Sequence, residues 1–174
     1  MKTIGLLGGM SWESTVHYYQ IINEEVKNKL GGLHSARIIL YSVEFAEIEN
    51  YQSSNQWEKC GEILGRAAKK LEDAGADFIL ICSNTIHKVT SQIASMLQIP
   101  VVHIADATAD ELKTCHIKRV GLLGTRYTMK GAEGVILGCT EIGLLIHQSD
   151  VSVPVFDTTV IHAKKAVQIA LTDS

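Results

Sequence analysis

The sequence predicts an α/β fold of two repeat-related lobes, each a parallel sheet flanked by helices, with the active site in the cleft between them. Short apolar, β-branched runs alternate with helical periodicity along the whole chain, the pattern of parallel α/β sheets. Lys2-Thr3-Ile4-Gly5-Leu6-Leu7-Gly8 returns as Lys118-Arg119-Val120-Gly121-Leu122-Leu123-Gly124, shifted by 116 positions. A second pair, Gly75-Ala76-Asp77 through Thr85 and Gly131-Ala132-Glu133 through Glu141, is shifted by only 56. The difference, 60 residues, is what the second half lacks between its two copies of the pattern.

Residues 2–7 read as a buried strand running into Gly8-Gly9. Ser11 is placed to cap a helix whose buried face is Val16, Tyr19, Ile22 and Val26, stopped by Gly31-Gly32. Residues 37–43 form a second strand, rich in β-branched residues. From Trp57 to Ala74 the residues Cys60, Ile63, Leu64, Ala67, Ala68 and Leu71 keep helical spacing, and Gly75 supplies the stop. Phe78–Ile81 is a short apolar strand, with a helix beginning near Thr85. After Pro100 a strand is expected over Val101–Ile104, then a helix capped by Asp106 and running through Leu112. Val120–Leu123, Val135–Leu137 and Val153–Phe156 are the later strands, and Asp157 or Thr158 opens a closing helix through Leu171. The first lobe is expected over 1–98 and the second over 99–156, short by the 60 residues of the repeat difference.

A chain of 174 residues with 46% hydrophobic and 20% charged residues is globular in composition and long enough for a real core. A net charge of −3 and a pI near 6.1 carry no basic footprint, which argues against nucleic acid as a partner. No apolar run reaches the ~18 residues of a membrane span, and the first residues lack a secretory h-region. Cys60, Cys82, Cys115 and Cys139 show neither CxxC nor a scaffold spacing, so free thiols in a reducing cytoplasm are expected. The seven histidines show no metal-ligand spacing. Gly5-Leu6-Leu7-Gly8-Gly9 lacks the full GxGxxG spacing, and reads as a close-approach turn for a small carboxylate rather than a nucleotide site.

The shorter shift sets Cys82 against Gly138 and Ser83 against Cys139. Ser83 and Cys139 thus end equivalent strands, each just before a helix, where helix amides and dipole stabilise a thiolate or a bound carboxylate. Two proton carriers facing each other across a carbon can invert it, one removing a proton and the other returning one on the opposite face. A thiol with an ordinary pKa of about 8.5 can serve as such a base, whereas a serine hydroxyl is much weaker. Asymmetric proton abstraction follows. Asn84, Thr85, Thr140 and Glu141 flank the pair and are expected to orient the substrate. Cys82 is the rival nucleophile, but strand alternation turns it away if Ser83 faces the cleft. His87 reads as a capping or packing residue.

Four motifs in order resemble the aspartate/glutamate racemases: Gly5 through Thr15, Cys82 through Val89, Gly138-Cys139-Thr140-Glu141-Ile142, and Val155 through Ala163. The resemblance spans essentially the whole chain. It implies cofactor-independent racemisation of acidic amino acids by two bases in a cleft between two α/β lobes, with the closing helix, 157–174, packed on the first lobe and completing 1–98 plus 157–174. Most members carry cysteine where Ser83 stands. The L-aspartate/glutamate-specific racemases of enterobacteria carry threonine there, and the chain resembles that subgroup most, Gly143 included. Residue by residue, the resemblance puts substrate contacts at Met10, Gln52, Ser83, Asn84 and Thr85, and the proton carriers at Ser83 and Cys139. It also implies a stretch the length of the repeat gap between the Arg126-Tyr127-Thr128-Met129 motif and Lys130. Lacking it, the second lobe leaves apolar surface for a homodimer to cover. Two other readings stay open: a catalytically defective deletion form that only binds a small dicarboxylate, and a cysteine-dependent lyase or hydrolase.

Overall fold

The computed structural model describes residues 1–122, 132–139 and 147–172. Its first sheet holds four parallel strands in the order β2-β1-β3-β4, with β1 Ile4–Gly8, β2 Ile38–Ser42, β3 Phe78–Ile81 and β4 Val101–Val102. Between them lie helices α1 Trp12–Leu30, α2 Phe45–Ser53 and α3 Trp57–Asp73, then a 3₁₀ turn at Thr85–Val89 and a short α4 at Thr90–Ala94. Helix α5 spans Ile104–Thr114. The second sheet, β5-β6-β7, is formed by β5 Val120–Leu122, β6 Gly134–Leu137 and β7 Val155–Asp157. The closing helix, α6, runs from Thr158 to Leu171.

Strand residues of β1 and β3 are buried on both faces, and their alternation sorts them into two cores. Leu7, Ile79 and Ile81 point to one side, against Leu64, Ala68 and Leu71 of α3. Ile4, Leu6, Phe78, Leu80 and Cys82 point to the other, against Tyr18, Ile22 and Val26 of α1 and Ala163, Ala166 and Val167 of α6. The closing helix is therefore part of the first lobe's core. His162, fully buried on α6, fastens it: its Nε2 donates to the Val102 carbonyl at 2.9 Å, leaving Nδ1 to accept from the Tyr18 hydroxyl at 2.8 Å.

The repeat is visible in the hydrogen bonds. Ile4 is registered with Phe78 in the first sheet, and Val120 with Gly134 in the second, the positions related by the two sequence shifts. Asp77 N–H donates to the Thr3 carbonyl at 2.9 Å, and Glu133 N–H to the Arg119 carbonyl at 2.8 Å. The carboxylates of Asp77 and Glu133 accept in turn from the amides of Thr3 and Lys118. Among the described residues the second sheet has no counterpart of β2, the strand that the 60-residue difference would contain.

Four expectations change. The buried face of α1 is Ser14, Thr15, Tyr18, Ile22 and Val26, while Val16 and Tyr19 are more than half exposed. Ser14 and Thr15 are inside because their hydroxyls bond backbone, Ser14 to Cys82 O at 3.0 Å and Thr15 to Gly9 N at 2.9 Å. The strand after Pro100 is only two residues long and pairs with β3 in the first sheet, not with the second lobe. It ends where His103, not Asp106, caps α5 by accepting from Ala105 N–H. Helix α2 was not expected; the Glu44 carboxylate caps it, bonding the amides of Ala46 and Glu47. Leu123 and the Arg126–Met129 motif lie outside the described residues. Among the described residues no helix is long and apolar enough to cross a membrane.

Candidate active site

The C-terminal ends of the two sheets face a shared cleft, the place where ligands bind in parallel α/β proteins. Among the described residues, nine line it: Met10, Ser11, Phe45, Gln52, Ser83, Asn84, Thr85, Gly138 and Cys139. Its volume is about 200 Å³. That is below the roughly 300–1,000 Å³ of sites for drug-sized ligands and suits a small one. A larger groove of about 700 Å³ runs between α5, β7 and α6, but it contains none of the residues expected to do chemistry.

Each lining residue arrives by a simple route. β3 ends at Ile81, and strand alternation sends Cys82 into the core and Ser83 toward the cleft; Cys82 is fully buried and Ser83 is 8% exposed. Burial pushes the Cys82 thiol far above its ordinary range, which removes it as a nucleophile. Cys139, half-buried, follows β6 in the same way. Met10 and Ser11 come from the turn between β1 and α1, and Gln52 from the last turn of α2.

Gly9 explains that turn. Its φ is +94°, and a Cβ there would stand 2.6 Å from the Val43 amide nitrogen and collide with the Val43 carbonyl. The close approach is between two stretches of this chain, and the Gly9 amide is already bonded to Thr15. The close approach expected of residues 5–9 is thus made within the chain, and Met10 and Ser11, just beyond the glycines, line the cleft.

Behind Ser83 stands a histidine cluster. His87 Nδ1 donates to the Ser83 carbonyl at 2.7 Å and so fixes the turn leaving β3. Its ring meets His103 edge-on at 4.7 Å and His162 at 5.4 Å. Burial pushes His87 down to about 4 and His162 to about 3, so both are neutral near pH 7. Among the described residues no cluster of His, Cys, Asp and Glu is arranged to hold a metal.

The structure brings Met10, Gln52, Ser83, Asn84, Thr85 and Cys139 together; Thr140 and Glu141 lie outside the described residues. Sequence reasoning missed Ser11 and Phe45. Phe45 opens the helix that was not expected, and the spacing Phe45, Ile48, Gln52 was the signal available for it.

Three comparisons bear on this arrangement. A crystal structure of a candidate Asp/Glu racemase from Yersinia pestis superposes with a TM-score of 0.91 at 42% identity, covering 99% of this chain and 100% of that one. The aspartate racemase homologue PH1733 from Pyrococcus horikoshii OT3 gives 0.87 at 33% identity, covering 98% and 99%. The broad specificity amino-acid racemase RacX of Bacillus subtilis (strain 168) is 28% identical over 132 residues, which make up 74% of this chain and 57% of that protein. The chain thus spans little more than half the length of that curated relative. The model of the Asp/Glu/hydantoin racemase family matches residues 7–131, ending beside the point where the repeat places its gap. With most of its length matched by that model, the chain belongs to the Asp/Glu/hydantoin racemase family.

Proposed function

We propose that the protein racemises acidic amino acids, aspartate and glutamate, in the cytoplasm without a cofactor, by two-base proton transfer at Cα. The observation that carries this reading is that Ser83, from the end of the first sheet, and Cys139, from the end of the second, line one small cleft. The relatives' names supply the substrate class, and the cleft's size suits it.

In the forward direction the Cys139 thiolate takes the Cα proton, leaving an S–H bond and a carbanion delocalised into the carboxylate. The Ser83 hydroxyl then delivers its proton to the opposite face. Return of the proton from Cys139 to Ser83 through solvent resets the site. Gln52, Asn84 and Thr85 offer polar groups from the first lobe to orient the substrate, and Met10 supplies an apolar wall. Thr140 and Glu141 complete the second side in this reading. Because a hydroxyl is the weaker base, the enantiomer whose Cα–H faces Cys139 reacts faster.

The test is racemisation followed by optical rotation, starting from each enantiomer of aspartate and of glutamate. General acid–base groups contribute about 10²–10⁴-fold, so Cys139→Ala and Ser83→Ala are each expected to lose at least about 100-fold. An unchanged rate in Cys139→Ala contradicts the assignment. Binding of a dicarboxylate with no loss of optical rotation from any acidic amino acid contradicts the enzymatic reading itself.

A further inference from the structure

We propose that the Thr158 hydroxyl is a positioning group that holds the two halves of the cleft in register. Thr158 is the first residue of α6 and is 5% exposed. Its oxygen lies 2.9 Å from the carbonyl of Leu137, the last residue of β6, and 3.1 Å from Nδ2 of Asn84. Oδ1 of the same asparagine is at 3.2 Å. The hydroxyl has one proton to give, and the Leu137 carbonyl, the nearer acceptor, takes it; the Asn84 amide donates to the oxygen. One side-chain atom therefore bonds both lobes. Leu137 is two residues before Cys139, and Asn84 is the residue after Ser83.

The hydroxyl is not serving the helix end. Asp157 already caps α6, its carboxylate accepting from Thr159 and Val160. Nor is the helix free to follow the second lobe, because Ala163, Ala166 and Val167 lock it into the first lobe's core. Thr158 thus stands at the junction of β7, whose Asp157 is registered with Leu137, and the helix locked into the first lobe. Its hydroxyl adds a side-chain bond to each side of that junction. A β-branched side chain suits this role, since its χ1 is stiff. Two proton carriers on separate sheets need such a tie, because a displacement of about 1 Å between reacting groups can cost about 100-fold in rate.

This inference rests on the two-base reading for its catalytic consequence, but not for the bridge itself, so two readouts are needed. The first is steady-state racemisation by T158V, which keeps the shape and removes the hydroxyl, and by T158S, which restores it. The expectation is a kcat lowered roughly 10- to 100-fold in T158V, with KM changed less than about threefold, and most of the loss recovered in T158S. The second is hydrogen–deuterium exchange of the same proteins. Peptides covering 82–89 and 132–139 are expected to exchange at least about threefold faster in T158V than in the parent, with 57–73 unchanged. If the parent chain proves inactive, the racemase reading fails while the exchange experiment still tests the bridge. T158A replaces T158V should the latter not fold. Parent-like turnover and exchange in T158V overturn the proposal, as do equal defects in T158V and T158S, which would assign the position to packing alone.

Discussion

Cys82 and Ser83 are adjacent in sequence and opposite in fate, and that one alternation decides which of them meets a ligand. Cys82→Ala should leave racemisation within about twofold of the parent while lowering stability by about 1 kcal/mol, the usual cost of a small core truncation. A loss of activity comparable to that of Cys139→Ala would contradict the orientation. The histidines make a second prediction. Burial holds His87 at about 4 and His162 at about 3, below the roughly 6.5 of an unfolded histidine. The unfolded chain therefore takes up protons first as pH falls. The stability these residues contribute is complete above about pH 6.5 and is lost on descending toward pH 4 for His87 and pH 3 for His162, by up to roughly 1.4 kcal/mol per pH unit for each. Urea midpoints should fall from pH 7 to pH 5, less steeply in His162→Gln; a flat profile would contradict the burial. Ser83, Cys139 and their neighbours were legible in the sequence because strand ends repeat. Thr158 was not, because nothing in its spacing says that a helix's first hydroxyl meets two strands from different sheets.

Among the helices and strands, those with strong stops were legible and those fixed by tertiary bonds were not. Ser11 and Gly31 bracket α1 as expected, yet its inward face is set by the hydroxyls of Ser14 and Thr15, which hydropathy places outside. Strand β4 is shorter than the apolar run Val101–Ile104 suggests, because the His103 ring ends it by capping α5. Helix α2 carries no plain start signal, because its capping residue, Glu44, is an uncommon cap. The better cap is Asp157. Asp157→Ala should destabilise the protein by about 0.5–2 kcal/mol, read from thermal unfolding, because two amides of α6 lose their acceptor. No change in midpoint would mean that the amides find water instead. Because α6 seals the first lobe and starts at the cleft, the same substitution is expected to lower activity more than stability.

Across the whole molecule, the two sheets are one plan drawn twice, with the second copy shortened. The first sheet is covered by α3 on one side and by α1 and α6 on the other. In the second sheet, Val120 and Leu122 of β5 are 38% and 54% exposed, so less apolar surface is withdrawn from water there. Stability should be distributed accordingly. Amides of β1 and β3 are expected to exchange at least about tenfold more slowly than those of β5 and β6, and equal protection would contradict this division. The gap itself is legible in the residues alone, as the difference between two repeat shifts. Its effect on the second sheet emerges only from the strand order, which retains the partners of β5 and β7 on β6 and shows no β2 counterpart among the described residues.

Two proton carriers, one per lobe, acting on opposite faces of one α-carbon, are the core of the proposed mechanism. Racemisation in heavy water, stopped at low conversion and read by mass spectrometry after separating enantiomers, is its decisive test. Two separate bases predict that the product enantiomer carries one solvent deuterium at Cα while the remaining substrate is unlabelled. Equal early labelling of both enantiomers would point to a single base, and no Cα label in any acidic amino acid would contradict the mechanism altogether.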